Sequence, residues 1–476
     1  MRRLNGSMVG AKYNNVTKER FLMLDFLRGI ALMGICLANF PEFSLYTFQP
    51  PETTAAMPTA RIDTVVKYLQ LIFIDGKFYT IFSVLFGIGF SIFLSNALKK
   101  NRNGLLLFYR RMIVLLFIGL FHLICLWAGD ILILYAFLGL FLPLFRTMSD
   151  KKLLITAVIL LLFPILVDSC IAFFGWNLSA PVISATQHFH AKAGITKENF
   201  PVWLVEAKSY KEALSFNFAG SFIRMQEFIE GNRAFKVMGL FIIGFYIGRQ
   251  RIYARLSDYT SVLKNIRNIG FMVGLPLSVL YAWNAMNGYP CALPGSAALY
   301  AFSVFPLSFA YISAICLIYL KYKSFSQVRN DEKNNFITKD RAIYSHGSQV
   351  ASLFKKIASI IAATGRMALT NYLMQSVFGI FIFYGFGLGF GARTGLVHVE
   401  WIALAVFLVQ MVYSSLWLRY FRFGPIEWGW RMLTYGEWLS IQYLSVFSFQ
   451  FSVISFQFSV FSFQFLVIHN SQFFFV

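Results

Sequence analysis

Charged residues are scarce in this chain of 476 residues. Asp, Glu, Lys and Arg make up 13% of the sequence, whereas about 25% of the residues in soluble domains are charged. Hydrophobic residues account for 58% of the chain and aromatic residues for 18%. This composition excludes a disordered chain, a collagen-like fibre and an ordinary cytosolic enzyme. We therefore predict an all-α fold, a polytopic transmembrane helix bundle.

Cysteine is also infrequent. The five cysteines are an odd number, and four of them lie in apolar runs, which argues against a disulfide framework. Zinc-binding, P-loop and nucleophile-elbow motifs are missing from the sequence. His188 and His190 have no Cys or carboxylate neighbours that would complete a metal site. The sequence thus predicts no metal site and no firmly bound cofactor, and its dispersed positive charge argues against nucleic acid as a partner.

Ten apolar runs approach the length of about 20 residues that a membrane-spanning helix needs. If the N-terminus is cytoplasmic, the inner segments contain 30 of the 42 Lys and Arg residues and the outer segments contain 11. Because cytoplasmic loops retain positive charge, we predict that both termini are cytoplasmic. The predicted spans are 22–40, 78–97, 112–128, 131–145, 153–174, 237–248, 268–285, 298–320, 368–388 and 400–418.

The pattern of spans and loops divides the chain into six predicted regions. A long outer loop, 175–236, has amphipathic stretches that predict surface or capping helices, and the polar, basic segment 321–364 is typical of a flexible cytoplasmic linker. In order, the regions are a cytoplasmic segment (1–20), a four-helix membrane block (21–146), a central membrane region (147–320), the linker (321–364), a C-terminal membrane domain (365–438) and a tail (439–476).

The tail has an unusual composition. No charged residue follows Glu437, and residues 447–467 repeat seven residues as FSFQFSV, ISFQFSV and FSFQFLV. Alternating polar and aromatic residues form an aggregation-prone strand pattern. The tail is either an eleventh membrane-associated segment or a nucleotide repeat read into the frame. We favour a non-native tail and assign it no function.

Ionisable residues within the predicted spans are costly to bury and need partners. Asp25 and Arg28 are three residues apart on the first span, so we expect them to pair on one helix face. His122 lies roughly 15 Å into its span, and Asp130 follows in the next hairpin. A His bonded to a carboxylate is a general-base arrangement. Alternatively, backbone or water satisfies His122 and Asp130 merely caps a helix.

Further polar residues are candidates for substrate binding. Asn39, Asp75 and Lys77 lie at the predicted outer level of the membrane, and we expect them to converge with His122 and Asp130. In the ninth span, Asn371 stands in a polar group with Thr370, Tyr372 and Gln375. This group predicts either hydrogen bonds between helices or a substrate pocket.

Five ordered blocks carry a family resemblance. They are LDFLRGIALMGICLAN (24–39), DGKFYTIFSVLFGIGF (75–90), RRMIVLLFIGLFHLICLWAGDILILYAFLG (110–139), GRMALTNYLMQS (365–376) and FRFGPIEWGWRMLTYG (421–436). Together they resemble the YeiB-like family of bacterial inner-membrane proteins, defined as domain of unknown function 418. The resemblance covers residues 20–438 with gaps and implies a multi-pass protein of the bacterial inner (plasma) membrane.

The first-helix block is also similar to that of heparan-glucosaminide-type membrane acetyltransferases. Those enzymes transfer an acyl group from cytosolic acyl-CoA to a sugar across the membrane, so this similarity implies an acyltransferase-like bundle. They carry a catalytic His just beyond the first helix, whereas PEFSLY at 41–46 contains none. His122, from a different helix, is therefore our candidate base.

These observations leave three hypotheses. In an acyltransferase with acyl-CoA as donor, Arg28, Arg110 and Arg111 would bind the CoA phosphates. His122, oriented by Asp130, would then deprotonate a small-molecule or glycan acceptor on the extracytoplasmic side. In a small-molecule transporter, the same His–Asp pair and the Asp25–Arg28 pair would line a pathway. In a structural membrane protein, the polar pairs would only specify packing.

Overall fold

The computed structural model describes residues 4–332 and 341–442 and shows an all-helical protein. Apart from one isolated bridge between Phe421 and Gln442, the regular elements in these ranges are helices. The α-helices are α1 (Leu4–Phe43), α2 (Pro51–Ala55), α3 (Ala60–Phe73), α4 (Lys77–Lys99), α5 (Gly104–Phe121), α6 (Leu132–Phe141), α7 (Asp150–Phe174), α8 (Ala180–Ala193), α9 (Trp203–Glu206), α10 (Tyr210–Glu230), α11 (Arg233–Arg249), α12 (Thr260–Met286), α13 (Ala292–Glu332), α14 (Arg341–Arg366), α15 (Ala368–Phe383), α16 (Leu396–Tyr420) and α17 (Pro425–Tyr435).

The prediction of an all-α polytopic membrane protein is confirmed. Within the described ranges, seven helical segments are long and apolar enough to cross a membrane, and two shorter apolar segments, Leu132–Phe145 and Ala368–Phe383, accompany them. The remaining predicted span, 237–248, lies in α11, whose 17 residues include Arg233, Lys236 and Arg249. A helix therefore occupies each of the ten predicted positions, while the exact number of spans stays a prediction.

Two ends of the bundle are distinguished by the direction of the chain. We call the end where α1 and α5 finish and α4 and α11 begin the predicted outer end, and the opposite end the predicted inner end. The segment 175–236 contains α8, α9 and α10 at the predicted outer end. Hydrogen bonds from α10 reach the reversal that follows α5, so this segment covers the bundle there.

Helix α14 corrects the expectation of a flexible linker at 321–364. Helix α13 continues to Glu332 and α14 begins at Arg341, so the described part of this segment is helical. Ala358 and Ala362, one turn apart, are buried with Phe26 of α1. This spacing forms the buried side of an amphipathic helix, and the exposed Lys and Ser residues beside it explain why the composition predicted a linker. Residues 333–340 and the repeats at 447–467 lie outside the described residues.

Glycines allow the helix backbones to touch. A Cβ atom on Gly87 of α4 would overlap the carbonyl oxygen of Phe241 on α11, and one on Gly244 of α11 would overlap the carbonyl oxygen of Val84. The same relation holds between Gly29 of α1 and Ile361 of α14. In a bilayer, helices associate mainly through such close packing, because lipid tails are as apolar as the side chains.

We expect Gly87→Val to weaken the contact between α4 and α11. The added methyl groups have no room, so the free energy of unfolding should fall by about 1–3 kcal/mol, the usual cost of overpacking. Gly89→Val is the matched control, since a Cβ at Gly89 of the same helix meets open space. Thermal unfolding in detergent, followed by tryptophan fluorescence, measures both variants. Equal melting temperatures for the two variants would contradict this packing analysis.

Candidate functional site

The imidazole of His122 lies between a carboxylate and a serine hydroxyl. His122 Nδ1 is 2.7 Å from Asp130 Oδ2, and His122 Nε2 is 2.7 Å from Ser376 Oγ. All three side chains are fully buried. In the tautomer that carries its proton on Nδ1, the imidazole donates to the Asp130 carboxylate and accepts from the Ser376 hydroxyl at Nε2. The predicted pairing of His122 with Asp130 is present in the structure, and Ser376 completes the arrangement.

The local backbone after α5 places His122 and Asp130 side by side. Helix α5 ends at Phe121, and a π-helical turn, His122–Leu126, follows it. The N–H of Trp127 then donates to the carbonyl of His122, and the chain reverses into α6. Asp130 Oδ1 accepts from the N–H of Ile133 at the start of α6. The carboxylate therefore caps a helix and contacts the imidazole at the same time.

Helix α10 holds this reversal from the predicted outer end. Asn217 Nδ2 donates to the carbonyl of Leu126 at 2.9 Å, and Arg224 Nε donates to the carbonyl of Ala128 at 3.2 Å. Arg224 also forms ion pairs with Glu42 of α1 and Glu227 of α10. Burial raises the pKa of Glu227 in spite of the neighbouring guanidinium. A single arginine thus links α1, α10 and the segment that carries Asp130.

Tyr372 lies beside the imidazole on the helix that supplies Ser376. Its ring centroid is 5.0 Å from that of His122, and its buried hydroxyl, which lies near the backbone N–H of Ile131, donates to no described residue. Tyr372 and Ser376 are four residues apart on α15, so they share a helix face. The unpaired hydroxyl therefore leaves a hydrogen-bond donor free next to Ser376.

Asn371 directly precedes Tyr372 on α15, and its side chain forms hydrogen bonds between helices. Its Nδ2 donates to the carbonyl of Thr364 and lies 3.0 Å from Ser414 Oγ of α16, while its Oδ1 accepts from Tyr413. Its side chain is therefore engaged on α14 and α16. Of the two interpretations open for Asn371, the geometry favours hydrogen bonding between helices.

The predicted convergence of Asn39, Asp75 and Lys77 with His122 is not observed. Asp75 accepts from Tyr281 of α12, and Lys77 donates to the carbonyl of Leu71. Asn39 makes no side-chain hydrogen bond to another described residue and is half-buried. Counting residues along a helix gives a height in the membrane but not the side of the bundle, and Asp75 and Lys77 face α12.

Arginines gather at the predicted inner end. Arg28 pairs with Asp25 at 2.5 Å, as predicted, while the guanidinium of Arg111 lies 3.8 Å from the ring centroid of Trp430 on α17. Arg431 of α17 is close enough to Arg28 and Arg111 for their charges to interact. We call Arg28, Arg111 and Arg431 the inner arginine cluster. Arg110, another predicted phosphate ligand, is exposed on α5, and its guanidinium lies near Gly436, which follows α17.

Known proteins resemble this chain over most of its length. Residues 348–437 match the family described as "Protein of unknown function (DUF418)". The uncharacterized protein YxaH of Bacillus subtilis is 30% identical over 435 residues, which cover 90% of this chain and 97% of that protein. The chain belongs to the YeiB-like DUF418 family. The uncharacterized protein YeiB of Escherichia coli is 27% identical over 435 residues, 87% of this chain and 96% of that protein. No solved structure matches the chain.

The site combines two parts of this DUF418 protein. Ser376 and Tyr372 lie within the residues that match the family, whereas His122 and Asp130 lie far before them. Sequence reasoning missed Ser376, Arg224 and Arg431. A serine in an apolar helix does not by itself indicate a functional site, although Ser376 directly follows the polar group at 370–375. The similarity to heparan-glucosaminide-type acetyltransferases stays a prediction.

We expect Arg224→Met to loosen the reversal at 127–131. Two carboxylates and one carbonyl lose their donor, and hydrogen bonds to charged groups contribute about 1.5–3 kcal/mol. Hydrogen–deuterium exchange of the peptide covering 122–131 should therefore rise. Lys211→Met, at an exposed position on the same helix, is the control and should leave exchange unchanged. Unaltered exchange in Arg224→Met would show that α10 does not hold this segment.

Proposed function

We propose that this DUF418 protein is a membrane acyltransferase that moves an acyl group from cytosolic acyl-CoA to an extracytoplasmic acceptor. The observation that carries the proposal is the imidazole of His122 held between Asp130 and Ser376. A carboxylate, an imidazole and a hydroxyl in this order are the groups that activate a serine for acyl transfer on unrelated folds. The bacterial inner membrane, with acyl-CoA on its cytoplasmic side, is part of this proposal.

In the first half-reaction, Ser376 would be the nucleophile. His122 Nε2 takes the proton from Ser376 as Oγ attacks the thioester carbonyl. The carbon–sulfur bond then breaks, and the CoA sulfur leaves with the proton that His122 returns. The acyl group remains on Ser376 as an ester. Asp130 keeps the imidazole in the tautomer that accepts at Nε2 and stabilises the imidazolium.

In the second half-reaction, His122 would act on the acceptor. It removes a proton from a hydroxyl or amine of the acceptor, which attacks the Ser376 ester, and the carbon–oxygen bond to Ser376 breaks. His122 returns the proton to Ser376 Oγ. The free hydroxyl of Tyr372 is placed one turn from Ser376, where it could donate to the oxyanion that develops in both steps.

The inner arginine cluster supports acyl-CoA as the donor. Arg111 and His122 are eleven residues apart on nearly continuous helix, a distance of about 16 Å. This separation suits a substrate with charged phosphates at one end and a reacting thioester at the end of an extended arm. Guanidinium groups bind phosphate through charge-assisted, bidentate hydrogen bonds. Arg111 and Arg431 form no ion pair with a described carboxylate.

Ser376→Ala is the direct test of the nucleophile. Full-length protein in detergent is incubated with radiolabelled acetyl-CoA, and label on the protein and free thiol are both measured. We expect wild type to carry label on the peptide that contains Ser376, and His122→Ala to release thiol at least about 100-fold more slowly, as for loss of a general base. Ser376→Ala should carry no label.

The control for this experiment is Ser308→Ala. Ser308 is fully buried, but its hydroxyl donates only to the carbonyl of Val304 in its own helix. This variant should therefore behave as wild type. Label that persists in Ser376→Ala would exclude Ser376 as the nucleophile. If wild type neither binds acetyl-CoA nor releases thiol, the acyltransferase proposal fails and transport assays on the same protein become the next step.

A second prediction concerns the donor. Replacing either Arg111 or Arg431 by Gln should raise the Kd for acyl-CoA at least about tenfold, since one charge-assisted contact contributes about 1.5–3 kcal/mol. Lys264→Gln, at an exposed position on α12, should leave the Kd unchanged. Isothermal titration calorimetry with acetyl-CoA measures all three variants. An equal Kd in wild type and both cluster variants would place the CoA phosphates elsewhere.

A further inference from the structure

A second polar cluster lies at the predicted outer end, where five elements of the bundle meet. We call it the tyrosine–cation cluster, because it combines three positively charged side chains with three tyrosines and two carboxylates. Its members are Lys77 and Tyr79 of α4, Asp75 just before α4, Asp168 of α7, Arg233 and Lys236 of α11, Tyr281 of α12 and Tyr300 of α13.

The rings of two tyrosines lie against two of the cations. Lys236 Nζ lies 3.9 Å from the ring centroid of Tyr300, and the guanidinium of Arg233 lies 5.5 Å from that of Tyr79. The hydroxyls of Tyr79 and Tyr300 are 2.6 Å apart, so the two rings are fixed to each other. Each cation therefore rests on the electron-rich face of a ring whose position is set by a hydrogen bond.

The carboxylates of the cluster accept hydrogen bonds from neutral side chains. Asp75 Oδ2 accepts from the hydroxyl of Tyr281 at 2.7 Å, and Asp168 Oδ1 accepts from Asn232 Nδ2 at 2.6 Å. Neither forms an ion pair with a cation of the cluster within the described ranges. Asp75, Asp168 and Glu227 are close enough for their charges to act on the cations, but none of them contacts a cation directly.

Arg233 and Lys236 are the cations with unused donors. Neither makes a side-chain hydrogen bond to another described residue, and both are only half-buried. They are three residues apart, so both side chains project from the same face of α11. A guanidinium can bind two oxygens of one anion, and an ammonium can reach a third as a point charge. Holding unpaired cations at the edge of a membrane is costly, so an anion that binds between these two side chains would be stabilised.

We propose that Arg233 and Lys236 form a binding site for the phosphate of a phosphate ester. Phosphate matches the two cations in charge and in number of acceptor oxygens, and lipid phosphates surround a helix end at the membrane surface. The same chemistry could be supplied by a phospholipid headgroup or by a soluble phosphate ester. The site is separate from His122 and its function does not depend on acyl transfer.

The test measures lipid and phosphate binding by the full-length protein in detergent. Native mass spectrometry gives the Kd for dioleoyl phosphatidylglycerol, with dioleoylglycerol as the phosphate-free comparison, and thermal shift gives the Kd for glycerol 1-phosphate. We expect Arg233→Gln and Lys236→Met each to weaken binding of the phosphate-bearing ligand about tenfold. Loss for phosphatidylglycerol alone indicates a lipid site, and a parallel loss for glycerol 1-phosphate indicates a site for soluble esters.

Two controls separate binding from folding. Arg233→Lys keeps the positive charge but loses the bidentate contact, so it should bind more tightly than Arg233→Gln and less tightly than wild type. Lys211→Gln removes an exposed cation on α10 and should bind as wild type. The proposal is overturned if phosphatidylglycerol binds no better than dioleoylglycerol, if neither phosphate ligand binds, or if Arg233→Gln and Lys236→Met bind them with wild-type affinity.

Discussion

A buried imidazole needs a hydrogen-bond partner at each ring nitrogen, and His122 meets this need with residues from two distant parts of the chain. Asp130 comes from the reversal that follows α5. Ser376 comes from α15 and lies 254 residues after His122 in the sequence. An unsatisfied buried polar group costs about 1–3 kcal/mol. This contact therefore ties the N-terminal helices to the C-terminal membrane domain, and the capping of α6 by Asp130 and the cover provided by α10 are arranged around it.

Packing between the helices obeys a different constraint. The hydrophobic effect does not drive two apolar helices together in lipid. Van der Waals contacts between closely packed backbones therefore supply the attraction. The glycines at the contacts of α4 with α11 and of α1 with α14 allow that approach. Polar contacts such as those of Asn371 then set which helices meet and in which register. Close packing supplies the attraction between helices, and the buried hydrogen bonds make the arrangement specific.

Much of this architecture could be predicted from apolar runs, because a span of about 20 apolar residues has few other uses. Amphipathic helices were harder to find. The composition of α14 indicates a linker, because exposed polar residues alternate with the buried side formed by Phe354, Ala358 and Ala362. The candidate site likewise separates residues that the sequence could pair from a residue that it could not. Asp25–Arg28 and His122–Asp130 are close in sequence and could be paired, whereas Ser376 could not, because nothing local indicates which helix will face His122.

The distribution of charge along the bundle restricts which chemical groups of a substrate can enter its interior. Positive clusters lie at both ends, Arg28, Arg111 and Arg431 at one and Arg233 and Lys236 at the other, while the buried group of His122, Asp130 and Ser376 lies inside the bundle, next to the reversal at the predicted outer end. Phosphates bound at either end would gain charge-assisted contacts that the interior does not offer, and moving them inward would cost their hydration. A neutral acyl group carries no such penalty. If acyl-CoA is the donor, its charged part is therefore retained at the inner end, and the acyl group is the part of it that can reach Ser376 and pass outward.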